Sequence, residues 1–174
     1  LADAGREVRD PAVQLHAIRQ RLPLFARAFL LMAIHRDDPK APEVATLLAE
    51  LLANIRELPA TAHTSEQLTR DLDDVFASDG RSDAIVLMAL LRVKPDHPIV
   101  AKLARGLLER RAGGRWRNTQ ENAYALVALL DYARIYEAEA PDFNARAWVG
   151  GARVLDVEFR GREARREAGG PGRA

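Results

Sequence analysis

The chain lacks cysteine and has few aromatic residues, at 6% of its 174 positions. The absence of cysteine excludes thiol nucleophiles, cysteine zinc sites and disulfides, although it leaves the cellular compartment open. The chain has 26 Lys and Arg residues and 25 Asp and Glu residues, so its net charge is close to zero. The overall charge therefore does not predict binding to nucleic acid or to an anionic membrane. No apolar run is long enough to span a bilayer. The chain begins with Leu and shows no leader, so we interpret it as an excised piece of a longer protein.

Three heptapeptides share an apolar helical pattern with Ala, Leu and Ala at matched positions. They occupy residues 28–34 (AFLLMAI), 84–90 (AIVLMAL) and 123–129 (AYALVAL). Internal similarity of this kind is typical of helical-hairpin arrays. Because the heptapeptides are apolar nearly all round, they predict buried inner helices. Replacing Leu126 by Ala is then expected to cost about 2–5 kcal/mol through lost burial and a cavity.

Two further segments have a single apolar stripe and predict outer helices that cover the inner ones. The stripes are Val44, Leu47, Leu48, Leu51, Leu52, Ile55 and Leu58 in the first segment, and Ile99, Leu103 and Leu107 in the second. The fold class is therefore mainly α, with inner and outer helices alternating over residues 1–140. A short β-hairpin is expected at about residues 61–79, where Thr61, His63 and the Asp79 and Gly80 pair indicate extended structure. A helix is the alternative prediction for this segment, because Leu68, Leu72 and Phe76 have a helical spacing.

The pattern changes beyond Glu137. Pro141 and Asp142 interrupt the helical register, residues 143–149 alternate, and residues 154–159 resume an extended pattern after Gly150 and Gly151. We expect a C-terminal β-hairpin over residues 141–160 that leads into another domain. Residues 161–174 have almost nothing to bury and are expected to be disordered.

The histidines of the chain form no pattern typical of catalysis or metal binding. The four histidines, His16, His35, His63 and His97, never occur at the spacing of a zinc-binding helix or beside a nucleophile elbow. His97 directly precedes Pro98 and is interpreted as a helix-start residue. We therefore predict no catalytic residue, no metal ligand and no cofactor-binding residue.

One acidic pattern has chemical content. In Asp71-Leu72-Asp73-Asp74 the carboxylates lie close together, and this can keep one of them protonated for acid catalysis. The pattern resembles the D-x-D-D acid motif of class II terpene cyclases, which are α/α barrels. A carbocation needs aromatic π faces, and this chain has few, so we prefer a solvated acidic turn. The alternatives are an α/α-toroid enzyme with Asp73 as the acid and a non-catalytic helical interaction module.

Basic residues gather in residues 110–117 (RRAGGRWR), which we call the arginine loop. Phosphate binding is one interpretation of it, and a solvated loop is preferred. Trp116 is predicted to pack, with its indole N–H on a loop carbonyl. Asn118 and Glu121 resemble a capping pair for a helix over about residues 119–136.

Residues 114–129 (GRWRNTQENAYALVAL) are more specific than any of these motifs. They resemble a W-x-x-T-Q-(D/E)-N-A-x-A-L-x-A-L run in the bacterial alpha-2-macroglobulin family, in the late part of its thioester domain. The matching residues are Trp116, Thr119, Gln120, Glu121, Asn122, Ala123, Leu126, Ala128 and Leu129. The similarity covers about residues 22–161.

The resemblance implies an α/α toroid of alternating inner and outer helices and a protein that is a broad-spectrum endopeptidase inhibitor rather than an enzyme. Family members trap proteases after cleavage of a bait segment, and many bond to them through a Cys-x-Glu-Gln thioester. Without cysteine, this chain is expected to be scaffold that lacks the reactive motif. Its implied partners are other domains of the parent and the target proteases. The implied location is periplasmic or extracellular, with any membrane anchor in an N-terminal part missing from this chain.

Overall fold

The computed structural model describes residues 9–65, 78–136, 142–161 and 163–167, and the chain is mainly α-helical as predicted. It divides into two compact units, Leu1–Tyr132 and Ala133–Ala174. The helices are α1 (Arg9–Ala17), α2 (Leu24–Asp37), α3 (Pro42–Ala53), α4 (Asp79–Val93), α5 (Ile99–Glu109) and α6 (Thr119–Tyr136), with one 3-10 turn at Arg19–Arg21. The strands are β1 (Ile55–Glu57), β2 (Ala62–Thr64), β3 (Asp142–Val149), β4 (Ala152–Arg160) and β5 (Glu163–Glu167). Among the described helices, none combines the length and the apolar character that crossing a bilayer requires.

Helix α4 is the centre of the first unit. All of its residues from position 80 to position 91 are buried, including Leu87 at 0% exposure. Helices α2 and α5 both pack against α4, and α3 packs against α2. The first two apolar heptapeptides lie in α2 and α4 and are largely buried, as predicted. The amphipathic helices α3 and α5 turn their leucine stripes inward, since Leu47, Leu51, Leu103 and Leu107 are fully buried.

The third heptapeptide was expected to be buried, and this prediction is wrong. In α6 only Glu121, Ala125 and Ala128 are buried. Leu126 is 54% exposed and Leu130 is 56% exposed. Helix α6 lies on the surface of the described part of the chain because its small residues, rather than its leucines, face the core. The expected large cost of replacing Leu126 by Ala therefore does not apply to this chain.

The predicted hairpin at residues 61–79 is displaced in the structure. Antiparallel pairing joins Ile55 to Thr64 and Glu57 to Ala62, so the hairpin begins before the predicted range. Helix α3 ends at Ala53, which places Ile55 in a strand rather than on the predicted helical stripe. Asp79 and Gly80 form the first turn of α4 rather than a hairpin turn. Residues 66–77 lie outside the described residues.

The hairpin depends on a glycine in α5. A Cβ atom on Gly106 would collide with the carbonyl oxygen of Ala62 and with the ring of His63. Glycine is otherwise unfavourable inside a helix by about 1 kcal/mol relative to Ala. Gly106 thus lets strand β2 pack directly on the α5 backbone.

The second unit contains the predicted C-terminal hairpin. Strands β3 and β4 are antiparallel, and Phe143 stacks on its cross-strand partner Phe159 with ring centroids 4.7 Å apart. The turn is made by Gly150 and Gly151, at φ 56° and 83°, which suits a two-residue hairpin turn. Strand β5 pairs with β4 inside the range 161–174 that was expected to be disordered, so that prediction is wrong for Glu163–Glu167.

Candidate functional site

The most concentrated polar chemistry in the first unit surrounds Asp83 in helix α4. Its side chain is fully buried. One carboxylate oxygen, Oδ1, accepts hydrogen bonds from the backbone N–H of Thr64 at 2.6 Å and from the Thr64 hydroxyl at 2.7 Å. A buried carboxylate is costly unless its lone pairs are used. Thr64 of strand β2 therefore satisfies one of the two carboxylate oxygens of Asp83.

The other oxygen of Asp83, Oδ2, contacts two cationic or titratable groups. Arg110 donates from Nε at 2.6 Å, and Nδ1 of His63 lies 3.2 Å away. Arg110 also approaches Asp79, with 3.9 Å between Nη1 and Oδ2. We call Asp83, His63, Thr64 and Arg110 the Asp83 network. It ties together strand β2, helix α4 and the end of helix α5.

A second network holds the start of helix α6. Glu121 is 6% exposed, and its carboxylate accepts from the Ser78 hydroxyl at 2.7 Å and from the backbone N–H of Arg117 at 3.0 Å. The carboxylate lies against Gly80, where a Cβ atom would come within 2.9 Å of it. Beside it, Arg81 donates to Gln120 at 2.7 Å and covers the ring of Phe25 at 4.3 Å. These polar contacts anchor the start of helix α6 to the first turn of helix α4.

The arginine loop is fixed from both sides. Trp116 is 5% exposed, and its indole N–H donates to the carbonyl of Leu107 at 2.8 Å. The Asn122 side chain accepts from the N–H of Trp116 at 3.2 Å and donates to its carbonyl at 3.0 Å. Trp116 therefore packs as predicted, although its partner carbonyl belongs to helix α5 rather than to a loop.

The Asp83 and His63 pair is the arrangement closest to catalytic geometry. A carboxylate at Nδ1 orients the general-base histidine of many hydrolases. Here the same carboxylate also binds Thr64 and Arg110, and the histidine ring packs its Cε1 edge over Gly106. This arrangement fastens β2 onto two helices. Among the described residues, no group of three or more His, Asp or Glu side chains could hold a metal ion.

The structure separates the residues that the sequence singled out. Asp71, Asp73 and Asp74 lie outside the described residues. His97 accepts from the N–H of Ile99 at 3.2 Å, which confirms its helix-start role. Asn118 accepts from the N–H of Glu121 at 2.9 Å as a cap, but Glu121 turns to Arg117 and Ser78 instead of back to Asn118. The capping pair is therefore confirmed in one direction only.

Sequence reasoning missed Asp83 as the centre of a network. The available signal was a charged residue directly before a long apolar run, together with a glycine inside each of two helical segments. Gly80 and Gly106 both mark close approach, to Glu121 and to strand β2.

The comparisons with known proteins add little. No family model matches the chain. A segment of 75 residues is 28% identical to Circularly permutated Ras protein 2 of Dictyostelium discoideum. This matched segment covers 43% of the present chain. The match spans only 2% of the length of that protein. A likeness of this extent assigns neither a family nor a function.

Proposed function

We propose that the chain is part of a bacterial alpha-2-macroglobulin-like protein, a broad-spectrum endopeptidase inhibitor that traps proteases. This part acts as scaffold of the thioester domain, within an α/α toroid. The observation that carries the proposal is that conspicuous polar residues of the string at residues 116–129 form hydrogen bonds within the protein. The polar groups of Trp116, Glu121 and Asn122 form hydrogen bonds that fix the start of α6. A specific string with this purpose is consistent with a structural role and with no chemistry of its own.

The exposed face of α6 supports an array that continues beyond the described helices. In α2 and α4 the matched leucines, Leu31 and Leu87, are fully buried against neighbouring helices. Their counterpart Leu126 is exposed, with Val127 and Leu130 beside it. Apolar residues exposed together are typical of surfaces that meet a partner. The occupant that the repeat favours is a further helix of the same array.

Location and partners follow from the same proposal. The parent would work in the periplasm or outside the cell, where it meets proteases. The partners of this piece would be other domains of the parent, and through them the target proteases. The proposal includes no nucleic acid and no membrane insertion by this piece.

Mass spectrometry of the full-length protein, with and without methylamine, tests the proposal because methylamine adds to an intact thioester. A Cys-x-Glu-Gln peptide that gains the amine would establish a covalent trap. Capture of an added protease without such a peptide would establish a non-covalent inhibitor and keep the scaffold role. Failure of both would overturn the proposal and favour a helical interaction module.

A pair of variants separates scaffold from enzyme in the same full-length protein. Asp73→Asn removes the acid that the terpene-cyclase interpretation requires, and Leu87→Ala weakens the core. The scaffold proposal predicts that protease capture survives Asp73→Asn and falls with Leu87→Ala in proportion to lost folding. A turnover that disappears in Asp73→Asn, with folding intact, would contradict it.

A further inference from the structure

The arginine loop borders an open cleft of about 740 Å³ at the start of helix α6. Its lining includes Arg110, Arg115, Arg117, Asn118 and Thr119. Among the described residues that line this cleft, none is acidic. The adjoining hollow, of about 330 Å³, contains Asp79 and Glu121 and shares Arg110 and Arg117 with the cleft. The larger cleft is therefore lined by arginines without a carboxylate, whereas the hollow also contains acidic side chains.

The four arginines of the loop differ in how they are used. Arg110 is held by Asp83, and Arg111 donates to the carbonyl of Gly114 at 2.9 Å and covers the Trp116 ring at 5.3 Å. Arg115 and Arg117 are exposed. Neither forms an ion pair with an acidic side chain in the part of the chain that the structure describes. These two guanidinium groups can therefore meet an external anion without first breaking an ion pair.

The backbone that carries Arg115 and Arg117 is already ordered. Gly113 and Gly114 adopt φ 60° and 81°, and Ala112 bonds to Arg115 across this tight turn at 3.0 Å. The backbone N–H of Arg117 is fixed by Glu121, and Trp116 between the two arginines is anchored on Leu107. A fixed backbone loses little conformational entropy when a ligand binds. The free energy gained from contacts between the arginines and an anion is therefore not cancelled by the cost of ordering the loop.

The shape and composition of the cleft select among anions. A guanidinium fork matches the two oxygens of a carboxylate or a phosphate. Nucleic acid recognition commonly adds exposed aromatic rings for stacking, but Trp116 is buried and the chain carries a net charge of only +1. The cleft is open and much larger than one oxyanion, so it can accept an extended chain.

We propose that this cleft binds an acidic peptide segment of a partner protein, whose carboxylates pair with Arg115 and Arg117. The inference rests on the geometry of the loop and does not depend on the protease-trap proposal. Exposed ion pairs of this kind weaken as salt rises. Binding should therefore be strongest at low ionic strength.

Fluorescence anisotropy of a labelled hexaglutamate peptide, titrated with the 174-residue chain at low salt, tests the proposal. The variant is Arg115→Gln with Arg117→Gln. The matched control is Arg21→Gln with Arg56→Gln, which removes the same charge from two exposed arginines outside the cleft. Circular dichroism melts of all proteins check that each folds equally well.

We expect the cleft variant to weaken peptide binding about tenfold, since two charge-assisted contacts are lost, and the control to change it less than about twofold. A labelled hexaglutamine peptide should not bind. Equal losses in the two variants would show attraction by net charge alone and overturn the proposal. Inorganic phosphate or a single-stranded oligonucleotide that binds at the cleft where hexaglutamate does not would also overturn it.

Discussion

Helices α4 and α6 carry similar apolar heptapeptides and bury them to different extents. Leu87 in α4 is fully buried, whereas the matched Leu126 in α6 is 54% exposed. The apolar pattern shows which residues favour burial, but only the neighbouring elements decide whether burial occurs. Helix α4 has α2 and α5 on its sides, while α6 approaches the core through Ala125 and Ala128.

The two helices are consequently held by different forces. Helix α4 is stabilised by burial of a nearly continuous apolar surface from Ala84 to Leu91, and the charged residues Arg81 and Asp83 are buried in the turn before it. Helix α6 is anchored at its first turn by hydrogen bonds that the side-chain oxygens of Asn118, Glu121 and Asn122 accept from backbone N–H groups. Substitutions in the two helices should therefore differ in size and in how far their effects spread.

The largest effect is expected from Leu87→Ala. It removes a fully buried side chain from the central helix, and the cavity should lower the free energy of unfolding by about 2–5 kcal/mol. Urea denaturation followed by circular dichroism measures this. If the loss were under about 1 kcal/mol, α4 would not be the centre of the core.

The next effect is expected from Asp83→Asn. The substitution keeps the shape but leaves Arg110 and His63 beside a neutral group, and about 2–3 kcal/mol of stability should be lost. Arg110 is 30% exposed and can regain water, which keeps the loss below that of a fully buried pair. Asp79→Asn, at an exposed partner of the same arginine, is the control and should change little. Equal losses would show that burial of Asp83 is unimportant.

A smaller and more local effect is expected from Asn122→Ala. It removes hydrogen bonds to both backbone groups of Trp116 and to the carbonyl of Asn118, at a cost of about 1–2 kcal/mol. Hydrogen exchange should speed up around the arginine loop and the first turn of α6 while α4 stays protected. Faster exchange throughout α4 would contradict the separate anchoring of the two helices.

The smallest effect is expected from Leu126→Ala in the isolated chain. Its side chain is more than half exposed, so the loss should stay under about 1 kcal/mol. This value replaces the larger one that the apolar pattern predicts. A loss as large as that of Leu87→Ala would show that Leu126 is buried after all.

The sequence predicts the helical class well because apolar periodicity reflects burial of α2, α3, α4 and α5. It misplaces the hairpin because Ile55 and Leu58 continue the leucine stripe of α3, and only pairing with strand β2 shows that residues 55–57 are extended. The hydrogen bonds of the Asp83 network join residues that are 19 to 27 positions apart in the chain. Local patterns contain no information on such pairings, although Gly80 and Gly106 indicate the close approaches.

The most direct test of the account uses the absence of cysteine. Since the sequence contains no cysteine, Leu126→Cys introduces a single thiol into the isolated chain, and its maleimide labelling rate can be compared with the rate in the proposed longer protein by peptide mass spectrometry. If the chain is part of a longer helical array, as proposed, labelling should be rapid in the isolated chain and strongly suppressed in the longer protein, where a further helix would cover α6. Protection in the isolated chain, or equally rapid labelling in both, would contradict it.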